Sequence, residues 1–415
     1  MKPFMAYGRN ILILSIVFLA SSFATNLFSP IWPIYIKDYL NASMTELGFV
    51  FSISNAIAAV MQILSGFLSD RYGRKGLHAL GTLMAAFPPL MYALARNWVD
   101  LVPWVMLSGF AMGLYLPIRW AIVADASSTE TMASAYSWTN ISWLVGSTVA
   151  PFLGGVLADY FDIRFPFFVC SALIFAIFPL TLIMQETRRK PLATALASDE
   201  KNEKVANING YIFAVLIFSL INIVQGIGIG VTSPVIPVFV ESHFPVDYTF
   251  IGILYAIGFG AASIIVQVPG GKLSDFFDRR KVMFVTFVAS SPFFLLFAYS
   301  QSTIELIIFM FLSNAILNAS WPAFQTLMME ATPSSKWGLV NGISATTFWA
   351  GLMIGNALSG ILWEGWGELV PFYASAVAIG VSAILPLLLE ETRNKQNRLF
   401  YKPLHNLCLG LNNEF

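Results

Sequence analysis

QILSGFLSDRYGRK, Gln62 to Lys75, is answered 205 positions later by QVPGGKLSDFFDRRK, Gln267 to Lys281. A soluble enzyme has little use for one charged phrase said twice. A membrane protein built from two copies of one unit carries it once in each copy. Of 415 residues, 57% are hydrophobic, 15% aromatic and 11% charged, with a mean hydropathy of +0.71. A soluble domain averages roughly 25% charged residues, so charge is scarce here and its repetition is informative. The net charge is zero and there is no basic block, so no nucleic-acid partner is expected. Cys170 and Cys408 lie far apart, one in an apolar run and one in the tail, and no disulfide or metal framework follows from them. The three histidines (His78, His243, His405) form no ligand cluster, and there is no nucleophile elbow or phosphate loop. Neither an enzyme nor a bound cofactor is expected.

A membrane span needs about 20 mostly apolar residues. That ruler predicts twelve spans, near 11–36, 46–69, 77–95, 102–124, 134–158, 165–185, 211–240, 248–274, 282–299, 304–329, 338–363 and 369–389. The first run is too long for a signal-peptide core and reads as a retained span. One long polar interval, ETRRKPLATALASDEKNEKVANING at Glu186–Gly210, divides the spans six and six. The expected organisation is an N-terminal bundle over 1–190, a linker over 191–209 and a C-terminal bundle with a short tail over 210–415. With both termini inside, 19 of the 23 Lys and Arg residues fall on cytoplasmic segments; Lys37, Arg96 and Arg164 fall outside and Arg119 within a span. The chain therefore reads as a multi-pass protein of the plasma membrane, with lipid as its surroundings and no sign of more than a monomer.

The repeat runs through both halves. At the same offset Pro117 meets Pro322, Asp125 meets Glu330, Gly146 meets Gly351, Gly155 meets Gly360 and Glu186 meets Glu391. SPIWP at Ser29–Pro33 meets SPVIP at Ser233–Pro237, one position out of step. The prolines Pro30, Pro33, Pro117, Pro151, Pro234, Pro237 and Pro322 are expected to bend their helices.

The loop Gly66-x-x-x-Asp70-Arg71-x-Gly73-Arg74-Lys75 resembles the signature loop of the major facilitator superfamily. Gly271-x-x-x-Asp275, followed by Arg279 and Arg280, resembles its degenerate second copy. The resemblance covers nearly the whole chain. It implies an all-α membrane protein of two pseudo-symmetric six-helix bundles, with a substrate site between them at mid-depth. Within the repeat, Asp70 can face a helix N-terminus or an arginine, and Arg74 can bridge to carboxylates at neighbouring helix ends. Asp125, Glu186, Glu330 and Glu391 are suitable partners. With Arg71, Asp275 and Arg279 they form a candidate network that latches the bundles in one state and breaks in the other. The opposing reading is that these charges only flank spans and set topology.

Two narrower resemblances concern direction. SPIWP and Ile227-Gly228…Pro234-Val235-x-Pro237 are similar to a motif of twelve-span drug/proton antiporters. Gly146-Ser-Thr-Val-Ala-Pro151-Phe-Leu-Gly154-Gly155 looks like the antiporter signature of the fifth span, with Ala150 where a glycine is usual. The fourth span departs from the pattern, with Val105 where an arginine is expected. All 23 acids fall in loops or at helix ends, and the first span carries Thr25-Asn26 where such antiporters often hold an acid. Coupling to a proton, to another ion or to nothing all stay open.

Arg119 is the one charge inside a span, six residues before Asp125 and so about 9 Å from the helix end at 1.5 Å per residue. It should face a cavity or a partner, and it suits an anionic or hydroxyl-rich ligand. Neutral polar residues follow helical spacing on the first, seventh and tenth spans: Ser22, Asn26 and Ser29; Asn222 and Gln225; Asn314, Asn318, Trp321 and Gln325. With Tyr115 they are candidates for a cavity wall, and equally for hydrogen bonds that glue helices together. The expected partner is a small molecule, with a coupling proton or ion undecided. The leading function is a secondary transporter exporting drug-like or lipophilic compounds. The alternatives are a porter of sugars or organic anions, an uncoupled facilitator, and a non-transporting sensor of the same fold.

Overall fold

The computed structural model describes residues 9–127, 132–187, 208–333 and 336–389. Glu391, the tail and all but the last two residues of the expected linker lie outside that set, as does the side chain of Asp70. Twelve helices among the described residues are long and apolar enough to cross a bilayer. The first half holds α1 (Arg9–Phe28), α2 (Met44–Tyr72), α3 (Arg74–Leu94), α4 (Val102–Ala126), α5 (Met132–Tyr160) and α6 (Phe165–Leu182). The second holds α7 (Ile208–Thr232), α8 (Tyr248–Phe276), α9 (Arg279–Ala298), α10 (Thr303–Glu330), α11 (Trp337–Trp366) and α12 (Val370–Ser382).

The expected single spans 11–36, 211–240 and 304–329 are each broken. After α1 the chain turns at Ser29–Ile31, resumes as Trp32–Ile34 and widens into a π-turn over Tyr35–Tyr39. After α7 it turns at Ser233–Pro234 and resumes as Val235–His243. Proline is the cause, since it lacks the N–H that the helix ladder needs and its ring crowds the preceding turn. α10 breaks at Ala319–Ser320, and Pro322 opens its second piece, Trp321–Glu330. Pro117 and Pro151 lie inside helices that run on without a break.

The helices of each half pack in the same pattern. α1 lies against α5 and α6, α2 against α4, and α3 against α4 and α6. In the other half α7 lies against α11 and α12, α8 against α10, and α9 against α10 and α12. Adding six to each number converts one set into the other. Between halves, α2 meets α11 and α5 meets α8, which the same rule also exchanges. The internal repeat is thus a spatial pseudo-two-fold of two six-helix bundles.

The two ends of the molecule differ. At the end holding the α1–α2, α5–α6, α7–α8 and α11–α12 connections, one apolar cluster draws on both halves, among it Trp32, Tyr35, Leu47, Phe167, Val238, Phe239, Leu254 and Phe372. At the other end each half has its own core, one around Leu14, Phe18 and Ile118, the other around Phe218, Phe287 and Phe324. There the last turns of α8 and α10 pack within their own half. The molecule is closed at the first end and parted toward the second.

Candidate functional site

A cavity of about 340 Å³ lies where α1, α5 and α8 converge, so both halves line it. α1 contributes Asn26 and Ser29; α5 contributes Trp143, Leu144, Ser147 and Pro151; α8 contributes Tyr255, Phe259, Gly260 and Ser263. The local fold explains these positions. α8 widens into a π-turn over Ala256–Ala261, a form that often marks functional sites. The Tyr255 and Phe259 rings stack there with centroids 5.6 Å apart. Gly260 sits so close to α5 that a methyl group on it would lie 2.6 Å from Thr148 Cα. On the opposite wall Ser22, fully buried, donates to the Trp143 carbonyl at 2.7 Å and fixes α1 against α5. Asn26 donates to the Ser22 carbonyl at 2.8 Å, and Ser29 donates to Asn26 Oδ1 at 3.4 Å. The cavity is therefore aromatic with a rim of neutral hydrogen-bonding groups, and no acid or base stands among its lining residues.

Arg119 lies one ring behind that wall. Its guanidinium sits 4.3 Å from the Phe18 ring centroid and 4.7 Å from those of Trp120 and Trp143. The residue is 6% exposed, and its Nε and Nη1 have no hydrogen-bond partner among the described residues. Trp143 thus shows one surface to the cavity and touches the buried cation as well. The cage is itself braced, because Tyr136 stacks on Trp120 at 5.3 Å and its hydroxyl donates to the Trp120 carbonyl. Tyr115, one turn from Arg119, packs edge-on to the buried His78 ring at 6.3 Å.

The other sequence candidates are spread more widely. Asn222 donates to Ser344 Oγ at 2.7 Å and ties α7 to α11, while Gln225 Nε2 is buried without a partner among the described residues. Asn314 and Asn318 donate back to carbonyls of their own helix, at 2.9 and 2.8 Å. Trp321 is exposed and stacks on Phe324; Gln325 is half-buried. Of the polar and aromatic residues expected at the cavity wall, Asn26 and Ser29 line it. Trp143, Tyr255 and Phe259 line it without having been singled out in the sequence. The i, i+4 spacing of the last two was the available signal, but such pairs also occur away from the cavity, as at Phe293 and Phe297.

The repeated charged phrase builds two matching networks. In the first half Arg74 pairs with Asp125 and donates to the Ala121 carbonyl at 2.7 Å. Glu186 accepts from the backbone N–H groups of Arg74 and Lys75 at 2.9 and 3.1 Å, capping α3. Gly73 makes this approach feasible: its φ of +91° is a left-handed turn. A methyl group there would lie 2.7 Å from the Glu186 carboxylate. In the second half Arg279 pairs with Glu330. Asp275 is exposed. Both ion pairs join helices of a single half, each at the end where the bundles are parted. Arg71 lies 5.5 Å from the Tyr72 ring centroid.

The family model described as Major Facilitator Superfamily matches residues 14–224 and 218–408. The multidrug resistance protein MdtG of Enterobacter lignolyticus is 25% identical over 385 residues, 91% of each chain. The multi-drug resistance efflux pump PmrA of Streptococcus pneumoniae is 23% identical over 368 residues, 88% of this chain and 91% of the pump. Among solved structures, a D-xylose–proton symporter superposes with a TM-score of 0.76 at 16% identity, over 92% of this chain and 98% of the symporter. The nucleoside transporter NupG superposes with a TM-score of 0.70 at 16% identity, over the same shares. With a family match in each half and a shared fold, the chain belongs to the Major Facilitator Superfamily and is a multi-pass transporter of the plasma membrane.

Proposed function

We propose that this transporter exports lipophilic or amphipathic small molecules by alternating access. The observation that carries the reading is the uncharged, aromatic wall of the interbundle cavity, Trp143, Tyr255 and Phe259. Such walls suit ligands that bury apolar area, while the hydroxyl and amide rim orients them. The multidrug efflux proteins among the relatives support the same direction. The Lys and Arg distribution supports cytoplasmic termini and an N-terminal bundle, linker and C-terminal bundle over 1–190, 191–209 and 210–415. In that orientation the parted end faces the cytoplasm, where an exporter loads. The Arg74–Asp125 and Arg279–Glu330 pairs then sit on the cytoplasmic side, ready to regroup when the halves rock together.

One feature favours a second reading. Arg119, a cation without hydrogen-bond partners at Nε and Nη1 behind Trp143, suits an organic anion or a hydroxyl-rich ligand. Flux into proteoliposomes separates the two. Saturable transport of lipophilic dyes, lost in Tyr255→Ala and Phe259→Ala, supports export of lipophiles. Saturable transport of sugars or organic anions with no lipophile flux overturns it.

A further inference from the structure

The closed end is fastened by two helix caps of one design. At the start of α8, the Asp159 carboxylate from the end of α5 accepts from the backbone N–H of Tyr248 at 3.1 Å and of Thr249 at 2.7 Å. It also accepts from Thr249 Oγ1 at 2.6 Å. At the start of α2, the Glu364 carboxylate from the end of α11 accepts from the backbone N–H of Met44 at 2.8 Å and from Thr45 Oγ1 at 2.5 Å. The repeat pairs Met44 with Tyr248 and Thr45 with Thr249, and it pairs Asp159 with Glu364. Each helix supplies the rest of its own cap. Ser43 and Glu46 form a capping box on α2, and Asp247 accepts from Phe250 N–H at 2.8 Å on α8. The N–H groups left over are those of the first helical turn, which no intrahelical carbonyl can satisfy. In both places they are taken by an acid from the other half.

We propose that Asp159 and Glu364 are a matched pair of gate residues, whose cross-bundle caps hold the closed end shut and are released together when it opens. This rests on the alternating-access reading. Chemistry favours the arrangement, because a carboxylate at a helix N-terminus meets both unpaired donors and the positive end of the helix dipole. Geometry couples it to the switch: each acid and the amides it caps lie on opposite bundles, so no bundle rotation at this end leaves the caps intact. Both acids are exposed, so the caps are replaceable by water and the gate is reversible.

The test is a distance measurement across the closed end in nanodiscs without substrate. Spin labels replace Arg96 and Gln301, exposed residues on closed-end loops of opposite halves, in a chain whose Cys170 and Cys408 are alanine. Asp159→Ala and Glu364→Ala should each raise the population with the end parted about fivefold, and the double variant should exceed either. An unchanged distance distribution in the double variant overturns the proposal, as does a lower melting temperature with no change in distances. Should the alanine variants fail to fold, Thr45→Val with Thr249→Val removes only the hydroxyl bonds. That pair should shift the distribution in the same direction by a smaller amount, and no shift overturns the gate. Because no substrate is present, failure here leaves the export reading standing, and failure of the export assay leaves the gate.

Discussion

An arginine inside a membrane span costs about 2.5–3.5 kcal/mol on the insertion scale. At Arg119 three aromatic faces within 4.7 Å offset part of that cost, each contributing about 0.5–2 kcal/mol depending on desolvation. Arg119→Ala should therefore lower the melting temperature of the purified protein, and Arg119→Lys should lower it less. The lysine keeps the charge, but its compact ammonium cannot lie flat against several rings as the planar guanidinium does. Thermal melts of the three proteins check the order, and an alanine variant as stable as the parent sinks the cage as a stabilising element. Flux measured alongside shows whether the same residue also reaches substrate through Trp143. The charge and its depth were legible in the sequence. The cage was not, because Phe18 on α1 and Trp143 on α5 meet Arg119 on α4 only once the bundle packs. The same reason hid Trp143, Tyr255 and Phe259 as cavity residues: their shared site exists only where two halves come together.

Helices cross between halves at glycines. A methyl group on Gly360 of α11 would lie 1.9 Å from the Met44 carbonyl oxygen of α2, and one on Gly155 of α5 would lie 2.2 Å from the Tyr248 carbonyl oxygen of α8. The repeat flagged this pair by position, although nothing in the sequence said that their partners lie in the opposite half. Gly360→Val should push α11 from α2 and raise the reactivity of a cysteine placed at Leu47, which is fully buried in the closed end. Labelling rates with a water-soluble thiol reagent check it, and a rate equal to that of the glycine parent counts against the crossing as a closure point. At SPIWP and SPVIP two prolines stand close together and signal a bend, but hydropathy runs a single span through each, and the structure breaks both. Pro117 and Pro322 occupy one repeat position with different outcomes. Ahead of Pro322, Asn318 donates to the Asn314 carbonyl at 2.8 Å and Ser320 to the Leu317 carbonyl at 2.6 Å, giving the backbone an alternative to the helix ladder. Ahead of Pro117 stand Gly113, Leu114, Tyr115 and Leu116, among which only the Tyr115 hydroxyl is polar, and that lies far from its own backbone. The helix there runs on.

Across the whole molecule, twelve spans, the division into six and six and the pseudo-two-fold were all readable from hydropathy and the repeat. Which end is shut was not, since an alternating-access chain adopts both states with one sequence. The structure distinguishes them through one feature, the apolar cluster that both halves share at the closed end and lack at the other. That asymmetry gives the conformational switch a heat capacity. Parting the closed end wets Trp32, Leu47, Val238 and Leu254, which are at most 9% exposed here. Exposure of apolar surface to water carries a positive heat-capacity change, and its penalty shrinks on cooling. Chilling the protein should therefore raise the share of molecules with this end parted, and the van't Hoff plot of the two populations should curve rather than run straight. Distance distributions recorded on samples frozen from a series of temperatures would show it; a share that falls on cooling would mean that polar contacts, not the shared oil, decide the balance. A transporter closed in this way is most reluctant to open that end when warm, and its cycle in the cold is limited by closing it again.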